Sequence, residues 1–391
     1  MTSEWHEVPL RELVGYISKG IAPSYAEVAS ETTSRVLNQK CNRNFQISYG
    51  DSRLHDTLKK KVPPERYVKP DDILINSTGA GTAGRIAQIE DVPSATTIDG
   101  HMTLIRSNGK VTQKFLGYAL KAHQWEVLQL DEGSTGQTEL NRDRLLDEIM
   151  INYPVSFDEQ NAIVGTLESI DRKLIVNEQL NDNLADLLQT IYQERFGNDI
   201  LAVNQGVLSD ICSYSRDKVA VSELNVITYF STENMLSGKA GSTEATSLPT
   251  TSQTTACHKG DTLISNIRPY FKKIVYCEDK CGCSTDVLCF TPSQPCYSAY
   301  LFSTLYADKF FAFMVAGSKG TKMPRGDKQQ IMTYPVVLPS EEELAGFNTI
   351  ASPLLEQIYS NRAENKRLSI LRDTLLPKLM SGEINVSAVQ L

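Results

Sequence analysis

The chain has 391 residues, of which 41% are hydrophobic, and it carries a formal net charge of −8 at pH 7. This length exceeds what one ordinary core accommodates, and the apolar content is enough for two, so we predict two domains with connecting segments. No apolar run approaches the roughly 18 residues of a membrane span, and the first residues lack an export-signal pattern, so we expect a cytoplasmic protein.

The acidity is unevenly distributed along the chain. Residues 158–196 contain eight acidic and three basic side chains, whereas the long stretches on either side are close to neutral. DNA phosphates attract Lys and Arg, and an acidic chain binds them only through local basic patches. The composition therefore stays compatible with a DNA-binding protein.

An internal repeat runs through the chain and fixes its architecture. KPDDILINST, which ends at Thr78, returns as HKGDTLISNI, which ends at Ile267, and each predicts a turn that leads into a buried strand. Further segments return in the same order: HMTLIRSN as DVLCFTPS, GSTGQ as GSKGT, YPV as YPV, and NEQLNDNL as NRAENKRL. Each repeat is predicted to be a strand-rich domain followed by one long helix.

Both predicted helices begin alike, because Ser156 with Glu159 and Ser340 with Glu343 have the spacing of a capping box. Apolar residues then recur in alternating steps of four and three, which is typical of a coiled-coil seam. In the first helix they are Ile163, Leu167, Ile170, Leu174, Leu184, Leu188 and Ile191. In the second they are Phe347, Ala351, Leu354, Ile358, Leu368, Leu375 and Leu379, with Arg372 as the one charged residue in that frame.

Asparagines interrupt the middle of both seams, and buried Asn layers fix the register of a coiled coil. The first helix leaves one domain and the second returns, so we expect an antiparallel pair. The register then places Asn177 beside Asn365 and Asn181 beside Asn361. It also pairs Ile163 with Leu379, Leu174 with Leu368, Leu184 with Ile358, and Leu188 with Leu354.

These patterns predict an α+β fold. It consists of two similar mixed α/β domains, separated by a long antiparallel two-helix coiled coil in a pseudo-twofold internal repeat. The predicted boundaries are residues 1–155 for the first domain, 156–198 for the first spacer helix, 199–339 for the second domain, and 340–391 for the second helix with a C-terminal tail.

The ordered set of tandem repeats, antiparallel helices and the strand motifs DILINST and DTLISNIRP resembles the specificity subunits of type I restriction–modification systems over essentially the whole chain. The resemblance implies that each domain is a target-recognition domain for one half of a split DNA target. It also implies that the helices act as a ruler and dock two modification subunits, which carry the methyltransferase chemistry. Further restriction subunits carry the translocase and nuclease in that family. No cofactor is expected on this chain, and S-adenosylmethionine is expected on the modification subunit.

The length of the first helix fits such a ruler. From Ile163 to Ile191 it covers roughly 43 Å at about 1.5 Å per residue, or roughly a dozen base pairs. Two readers that far apart would touch successive major-groove faces on one side of the duplex. We therefore expect two unrelated half-sites with an unread gap.

The segment Gly79–Gly84 has the formal spacing GxGxxG after a predicted strand. In a dinucleotide-binding unit such a loop opens a helix that holds a pyrophosphate. Here the residues from Arg85 to Ile89 alternate like a strand, and the equivalent RPYFKKIVY of the second repeat has no glycine. We therefore interpret the segment as a flexible DNA-facing or structural loop.

Motifs of a catalytic centre are missing from the sequence. The Pro63-Pro64 pair lacks the neighbours expected of an adenine methyltransferase motif. Asp171-Arg172-Lys173 and Glu364-Asn365-Lys366 have the form of a metal-nuclease element, but they fall on the predicted helices, where we interpret them as solvated charges. We predict a protein that is not an enzyme. Two alternatives stay open: a self-contained restriction or modification enzyme, and a scaffold protein that does not bind DNA.

Six of the eight cysteines lie in the span from Cys257 to Cys296, which is unlike an evenly spaced disulfide framework. Cys277, Cys281 and Cys283 have the chemistry of zinc ligands, but no second pair at finger-like spacing and no His accompany them. We expect reduced cysteines buried in strands and no metal.

DNA contacts are expected in loops that carry cations and hydrogen-bond donors. Lysines suit phosphates as point charges, whereas Arg, Gln and Asn meet base edges bidentately. The candidates in the first domain are Lys59, Lys60, Lys61, Ser77, Thr78, Arg85, Ser134, Thr135, Gln137 and Asn141. The candidates in the second domain are Asn266, Arg268, Tyr270, Lys272, Lys273, Ser318, Lys319, Lys322 and Arg325.

Overall fold

The computed structural model describes residues 4–79, 81–132, 139–197 and 204–389. The chain divides into two compact units. Unit 1 consists of Met1–Leu174 with Arg367–Leu391, and unit 2 consists of Ile175–Lys366. Each unit contains part of both long helices.

Unit 1 is built mainly from short strands. They are β1 (Trp5–Pro9), β2 (Val14–Lys19), β3 (Tyr25–Ala26), β4 (Thr33–Leu37), β5 (Asn42–Arg43), β6 (Gln46–Ile47), β7 (Arg53–Asp56), β8 (Ile73–Asn76), β9 (Ile86–Gln88), β10 (Thr96–Ile98), β11 (Met102–Ser107), β12 (Asp131–Glu132), β13 (Glu139–Leu140) and β14 (Met150–Pro154). The helices that begin in this unit are α1 (Gln113–Ala122), α2 (Gln124–Val127), α3 (Arg142–Glu148) and the long α4 (Phe157–Phe196).

Two four-stranded sheets form the body of unit 1, in the orders β2-β11-β8-β9 and β10-β4-β7-β3. The first sheet is antiparallel throughout, and the second contains one parallel pair, β10 with β4. β1 pairs with β14 and so ties the start of the unit to the strand that precedes α4.

Unit 2 repeats this plan. Its strands are β15 (Gln205–Val207), β16 (Cys212–Tyr214), β17 (Lys218–Ala220), β18 (Tyr229–Phe230), β19 (Gln253–Cys257), β20 (Thr262–Ser265), β21 (Ile274–Tyr276), β22 (Cys281–Cys283), β23 (Val287–Pro292) and β24 (Pro335–Val337). Its helices are α5 (Leu208–Ile211), α6 (Ser298–Tyr306), α7 (Asp308–Ala316), α8 (Lys328–Ile331) and the long α9 (Glu341–Met380). The sheet order β16-β23-β20-β21 matches β2-β11-β8-β9, and β15 pairs with β24 as β1 pairs with β14.

The repeated motif forms the same strand in both units, β8 in unit 1 and β20 in unit 2, and all four residues of each are buried. Successive side chains of a strand point to opposite faces, so a continuous apolar run indicates burial on both. In unit 1, Ile73 and Ile75 join the core beside α1 and α4, whereas Leu74 joins the core next to β4 and β10. In unit 2, Ile264 and Leu263 divide in the same way.

Hydrogen bonds between asparagines define the helix register in unit 2. Asn177 Nδ2 donates to Asn365 Oδ1 at 2.8 Å, and Asn361 Nδ2 donates to Asn181 Oδ1 at 2.9 Å. As the residue number rises along α4 it falls along α9, so the two helices are antiparallel in this unit. Asn177, Asn181 and Asn361 are buried.

In unit 1, charged side chains pair across the same two helices. Asp171 accepts hydrogen bonds from the Tyr118 hydroxyl and the Lys121 ammonium at 2.9 Å each, and it pairs with the Arg372 guanidinium at 3.2 Å. The Asp171 side chain is only 22% exposed, so the expectation of a solvated helix charge was wrong at this position. The periodicity shows which helix face is apolar, but it does not reveal that α1 supplies a partner to Asp171.

Reciprocal hydrogen bonds cap α9, because the amide of Glu343 donates to Ser340 Oγ and the Ser340 amide donates to the Glu343 carboxylate. The equivalent Ser156 hydroxyl accepts from the amide of Glu159 at 3.4 Å. The helix starts predicted from the capping-box spacing are confirmed. Within the described residues, no helix is both long enough and apolar enough to span a membrane.

The cysteines of unit 2 are buried with one exception, Cys296. Cys257, Cys277, Cys281, Cys283 and Cys289 share one apolar core with Met235 and Leu263, and the Sγ atoms of Cys277 and Cys281 lie 3.5 Å apart. Cys257, Cys281, Cys283 and Cys289 lie in strands, so the prediction of buried strand cysteines is confirmed for these four. In the part of the chain that the structure describes, no group of three or more His, Cys, Asp or Glu residues is arranged to hold a metal ion.

Candidate nucleic-acid interface

In both units, the central strand ends in a turn that contacts a loop from later in the chain. In unit 1, the Leu140 amide donates to the Ser77 carbonyl at 2.8 Å, and Thr78 forms a β-bridge with Glu139. In unit 2, Ile267 forms the equivalent bridge with Arg325. We call these two places the strand-end turns; each brings together two of the segments in which DNA contacts are predicted.

The predicted residues at the strand-end turn of unit 1 are partly committed to the fold. Ser77 is buried, and its hydroxyl shares a 2.6 Å hydrogen bond with Thr103. Thr78 is half-buried, with Oγ1 2.7 Å from His101 Nδ1. Arg85 donates to the Gly81 carbonyl at 3.0 Å. Ser77 therefore shapes the turn, and Thr78 and Arg85 lie nearer to its surface.

The glycines around this turn have a conformational role. Gly79, Gly81 and Gly84 have φ values of 112°, 69° and 84°, which favour glycine. β9 follows them and pairs antiparallel with β8. The strand predicted after the glycine loop is confirmed, and this loop does not open a helix.

The remaining candidates of unit 1 lie in two other places. Lys59, Lys60 and Lys61 are exposed on the loop after β7, where Lys60 Nζ donates to the Ala22 carbonyl at 2.8 Å and Lys59 lies 3.7 Å from Asp56. The Asn141 side chain accepts the amides of residues 143 and 144 and so caps α3. Ser134, Thr135 and Gln137 lie outside the described residues.

Backbone strain marks the strand-end turn of unit 2. Arg268 and Lys272 both have φ of 51°, a left-handed conformation that non-glycine residues adopt at an energetic cost and that clusters at functional sites. The Arg268 amide donates to the Pro324 carbonyl at 2.8 Å, which holds the arginine against the second loop. Tyr270 is half exposed and lies between these two residues, with its ring 4.8 Å from that of Phe271.

Asn266 lies beneath this turn and is buried. Its Oδ1 finds no hydrogen-bond partner among the described residues. A Cβ at Gly326 would lie 2.8 Å from that oxygen, so glycine is needed for the close approach of the two loops. A buried acceptor without a partner has a free-energy cost that a donor from a ligand or water relieves.

The lysines of unit 2 that are candidates for phosphate contact already have partners. Lys272 lies 3.0 Å from Asp308, which also pairs with Lys239, and these two lysines hold the pKa of the Asp308 carboxyl below its ordinary value. Lys273 Nζ donates to the Thr232 carbonyl at 2.6 Å, and burial lowers the pKa of its ammonium. Lys272 stays partly exposed at the surface, whereas the Lys273 ammonium is held by a backbone carbonyl and stabilises the fold.

The second loop of this interface contains exposed cations. Lys319 pairs with Asp327 at 2.6 Å, which lowers the pKa of that carboxyl, and Arg325 pairs with Asp286 at 2.9 Å. The Lys322 carbonyl lies 3.5 Å from the Arg268 guanidinium, and the Ser318 hydroxyl donates to the Val315 carbonyl at 2.7 Å. The structure thus brings Asn266, Arg268, Lys319, Lys322 and Arg325 together.

A groove in unit 1 contains polar residues that sequence reasoning missed. Its lining includes Tyr25, Asn38, Gln39, Arg53, Asp99 and His101. These residues come from separate segments of the chain and form no motif, so only the pairing of β3 with β7 and the fold of the neighbouring loops bring them together. His101 joins the groove to the strand-end turn through its contact with Thr78.

Comparison with known proteins gives both sequence and fold relatives. Residues 2–185 match the family model described as the type I restriction modification DNA specificity domain. The type I restriction enzyme MjaIX specificity subunit of Methanocaldococcus jannaschii is 34% identical over 73 residues, 19% of this chain and 17% of that protein. The HindI specificity subunit of Haemophilus influenzae is 43% identical over 49 residues, 12% of this chain and 11% of that protein. The matched segments thus span less than a fifth of either curated relative.

The fold has a relative that extends over nearly the whole chain. The crystal structure of the type I restriction-modification system S subunit from M. genitalium superposes with a TM-score of 0.62 at 17% identity, covering 97% of this chain and 96% of that one. The fold class predicted from the sequence is confirmed. Residues 2–185, just under half of the chain, are similar to the type I restriction modification DNA specificity domain, and the resemblance to specificity subunits that the sequence motifs indicate is confirmed.

Proposed function

We propose that this chain is the sequence-specific DNA-recognition subunit of a type I restriction–modification complex. Each unit reads one half-site of a split double-stranded target through its strand-end turn. The observation that carries the proposal is the recurrence of this turn in both halves of a chain whose residues 2–185 match a DNA specificity domain. Two readers of different surface chemistry suit two unrelated half-sites.

The side chains at the strand-end turn of unit 2 suit both kinds of DNA contact, phosphate binding and base reading. Lys319 and Arg325 are exposed cations and Lys272 is a partly exposed one, and the present partner of each is a carboxylate. A phosphate can replace a carboxylate in such a pair, because both are anions that accept from the same donors. Arg268 has a guanidinium whose Nε lacks a partner among the described residues, and its fork matches guanine O6 and N7.

In the proposed complex, other subunits carry out DNA methylation and cleavage. This chain has no catalytic role and binds no cofactor; two modification subunits dock against the helices, bind S-adenosylmethionine and methylate the target. Restriction subunits join the same assembly to form the endonuclease. The helices set the number of base pairs between the two half-sites.

Methylome sequencing of cells that express this chain with its modification subunits tests the proposal. We expect a split methylated motif with a fixed unread gap. A continuous motif, or none, contradicts it. Methylation by the purified chain alone would instead indicate a self-contained modification enzyme, and an assembled complex without sequence preference would indicate a scaffold.

Substitutions in unit 2 separate phosphate contact from base reading. Replacing Lys272 and Lys319 by Ala should weaken binding to all sequences and reduce the salt dependence of the binding constant. Lys280→Ala is the matched control, because Lys280 pairs with exposed Glu223 elsewhere in the unit. Arg268→Ala should relax the choice of base at one position of one half-site, and an unchanged methylated motif removes Arg268 from the readers.

A further inference from the structure

The groove in unit 1 has a different character from the lysine-bearing surfaces. It has a volume of about 510 Å³, and its lining combines an aromatic ring, two cations (Lys40 and Arg53), two amides, a histidine and two carboxylates, of which Asp99 is buried. Ser77 and Thr78 of the strand-end turn adjoin it through the contact between Thr78 and His101. Any duplex that rests on the strand-end turn of unit 1 therefore lies next to this groove.

Arg53 and Lys40 are exposed cations of the groove, and Arg53 is the one with a planar fork of donors that fits a base edge. Its guanidinium lies over the ring of Tyr25, 5.0 Å from the centroid, and it is exposed. No ion pair holds Arg53 within the part of the chain that the structure describes, in contrast to Lys272 and Lys319 of unit 2. The half-exposed Tyr25 ring supports the guanidinium without satisfying its hydrogen-bond donors.

Hydrogen-bond acceptors complete the lining. Asp99 is 4% exposed and accepts the His101 amide at 2.9 Å, and its burial raises the pKa of the carboxyl. The side-chain oxygen of Gln39 is buried and has no partner among the described residues. A buried acceptor without a partner is costly, and a ligand donor that reaches it relieves this cost; the exocyclic amino groups of adenine and cytosine are such donors.

Charge argues against a phosphate as the occupant. The carboxylates of Asp51 and Asp99 line the groove together with the cations Lys40 and Arg53, so the lining has no excess of positive charge to attract the DNA backbone. Base edges are neutral and present donors next to acceptors, which suits a lining that mixes a guanidinium, amides and carboxylates. The occupant with matching chemistry is therefore the edge of base pairs in a major groove.

We propose that this groove reads base edges in the half-site bound by unit 1, with Arg53 as the residue that selects a guanine. The proposal rests on the proposed function, since it assigns a recognition site within a DNA-reading unit. Arg53 donates two parallel hydrogen bonds to guanine O6 and N7, and Tyr25 keeps the guanidinium oriented. Gln39 meets the neighbouring base pair.

The test uses the full chain with its modification subunits and reads the methylated motif by sequencing. Arg53→Lys keeps the positive charge but loses the fork, so a base-reading role and a phosphate contact give different results. We expect Arg53→Lys to reduce discrimination at one position of a single half-site by roughly 5- to 150-fold. The other half-site and the gap should stay unchanged. Tyr25→Ala should relax the same position.

Arg11→Gln is the matched control, because Arg11 is an exposed arginine of unit 1 that pairs with Asp147 away from the groove. An unaltered motif in the Arg53→Lys complex overturns the groove assignment while leaving the proposed function intact. A wild-type complex without a split motif overturns the proposed function itself. If Arg53→Lys leaves the motif unaltered while Arg53→Ala lowers binding to all sequences equally, Arg53 is a phosphate contact and the proposal fails. Circular dichroism of each variant identifies any loss of folding, in which case the result for Tyr25→Ala decides.

Discussion

The seam between α4 and α9 contains one charged layer in unit 1, whereas the equivalent layer of unit 2 is apolar. The repeat that matches Asn177 with Asn361 also matches Asp171 with Leu355 and Arg372 with Leu188. Asp171 and Arg372 form an ion pair, whereas Leu188 and Leu355 are buried in the core of unit 2.

The difference shows that the same helix pair can pack against its globular domain either through an ion pair or through apolar side chains. A buried ion pair contributes little net stability compared with apolar packing, but removing one partner is costly. The ion pair of unit 1 also fixes the position of α1 relative to the two long helices, because Asp171 binds Tyr118 and Lys121 of α1 as well as Arg372 of α9. The two halves are therefore similar in fold and not interchangeable in their interior.

Transplanting one charge into unit 2 should have the largest effect. Leu355→Asp places a carboxylate in an apolar core without a partner, and we expect the free energy of unfolding to fall by about 3–5 kcal/mol. Adding Leu188→Arg should recover part of the loss by recreating the unit 1 pair. Denaturant unfolding followed by circular dichroism measures both. Leu187→Asp is the control, since Leu187 is 47% exposed and should tolerate the change.

Removing the carboxylate from unit 1 should have a somewhat smaller effect. Asp171→Leu leaves Lys121 and Arg372 without their common partner, and because these side chains keep some exposure we expect a loss of about 2–3 kcal/mol. Asp171→Leu combined with Arg372→Leu imitates unit 2 and should be more stable than the single variant. A stability equal to wild type for Asp171→Leu alone would contradict the comparison; Asp186→Leu, an exposed site on α4, is the control.

The asparagine layer should contribute less than either. Asn177→Leu leaves Asn365 without the 2.8 Å hydrogen bond, at an expected cost of about 1–2 kcal/mol. Replacing both by Leu should restore or raise stability, because the seam becomes continuous. Equilibrium unfolding in urea compares the variants with Asn183→Leu, an exposed position on the same helix. If the double variant is the least stable of the set, the asparagine layer stabilises the helix pair and does not merely fix its register.

The smallest expected effect is a pH dependence in unit 2. Lys239 and Lys272 lower the pKa of Asp308 from its ordinary value of 3.8. The stabilisation is complete above pH 3.8 and is lost as the pH falls through the lowered value, because the carboxyl then becomes protonated. Asp308→Asn should flatten this part of the stability profile, measured by thermal unfolding between pH 2 and 5. An identical profile for wild type and variant would show that the pair contributes nothing.

Much of the fold follows from sequence patterns, because the spacing of the apolar residues indicates which faces are buried and the internal repeat indicates that the two units share one plan. The run from Ile73 to Asn76 predicts a strand buried on both faces, and Ser340 with Glu343 predicts a helix start. The candidate site is harder to predict. Ser77 and Lys273 have the chemistry of DNA contacts, yet their polar atoms satisfy the protein itself. Arg53 and Tyr25 carry no sequence signal, since a cation over a ring depends on strand pairing between distant segments.

The cluster of thiols in unit 2 has a practical consequence for following how each half melts. Cys257, Cys277, Cys281, Cys283 and Cys289 are all shielded from solvent, whereas both tryptophans, Trp5 and Trp125, belong to unit 1. Once the buried Cys41 of unit 1 and the exposed Cys296 are replaced by serine, a thiol-reactive dye reports when unit 2 opens. The fluorescence of Trp5 then follows unit 1 in the same sample, so the unfolding of the two halves can be timed separately.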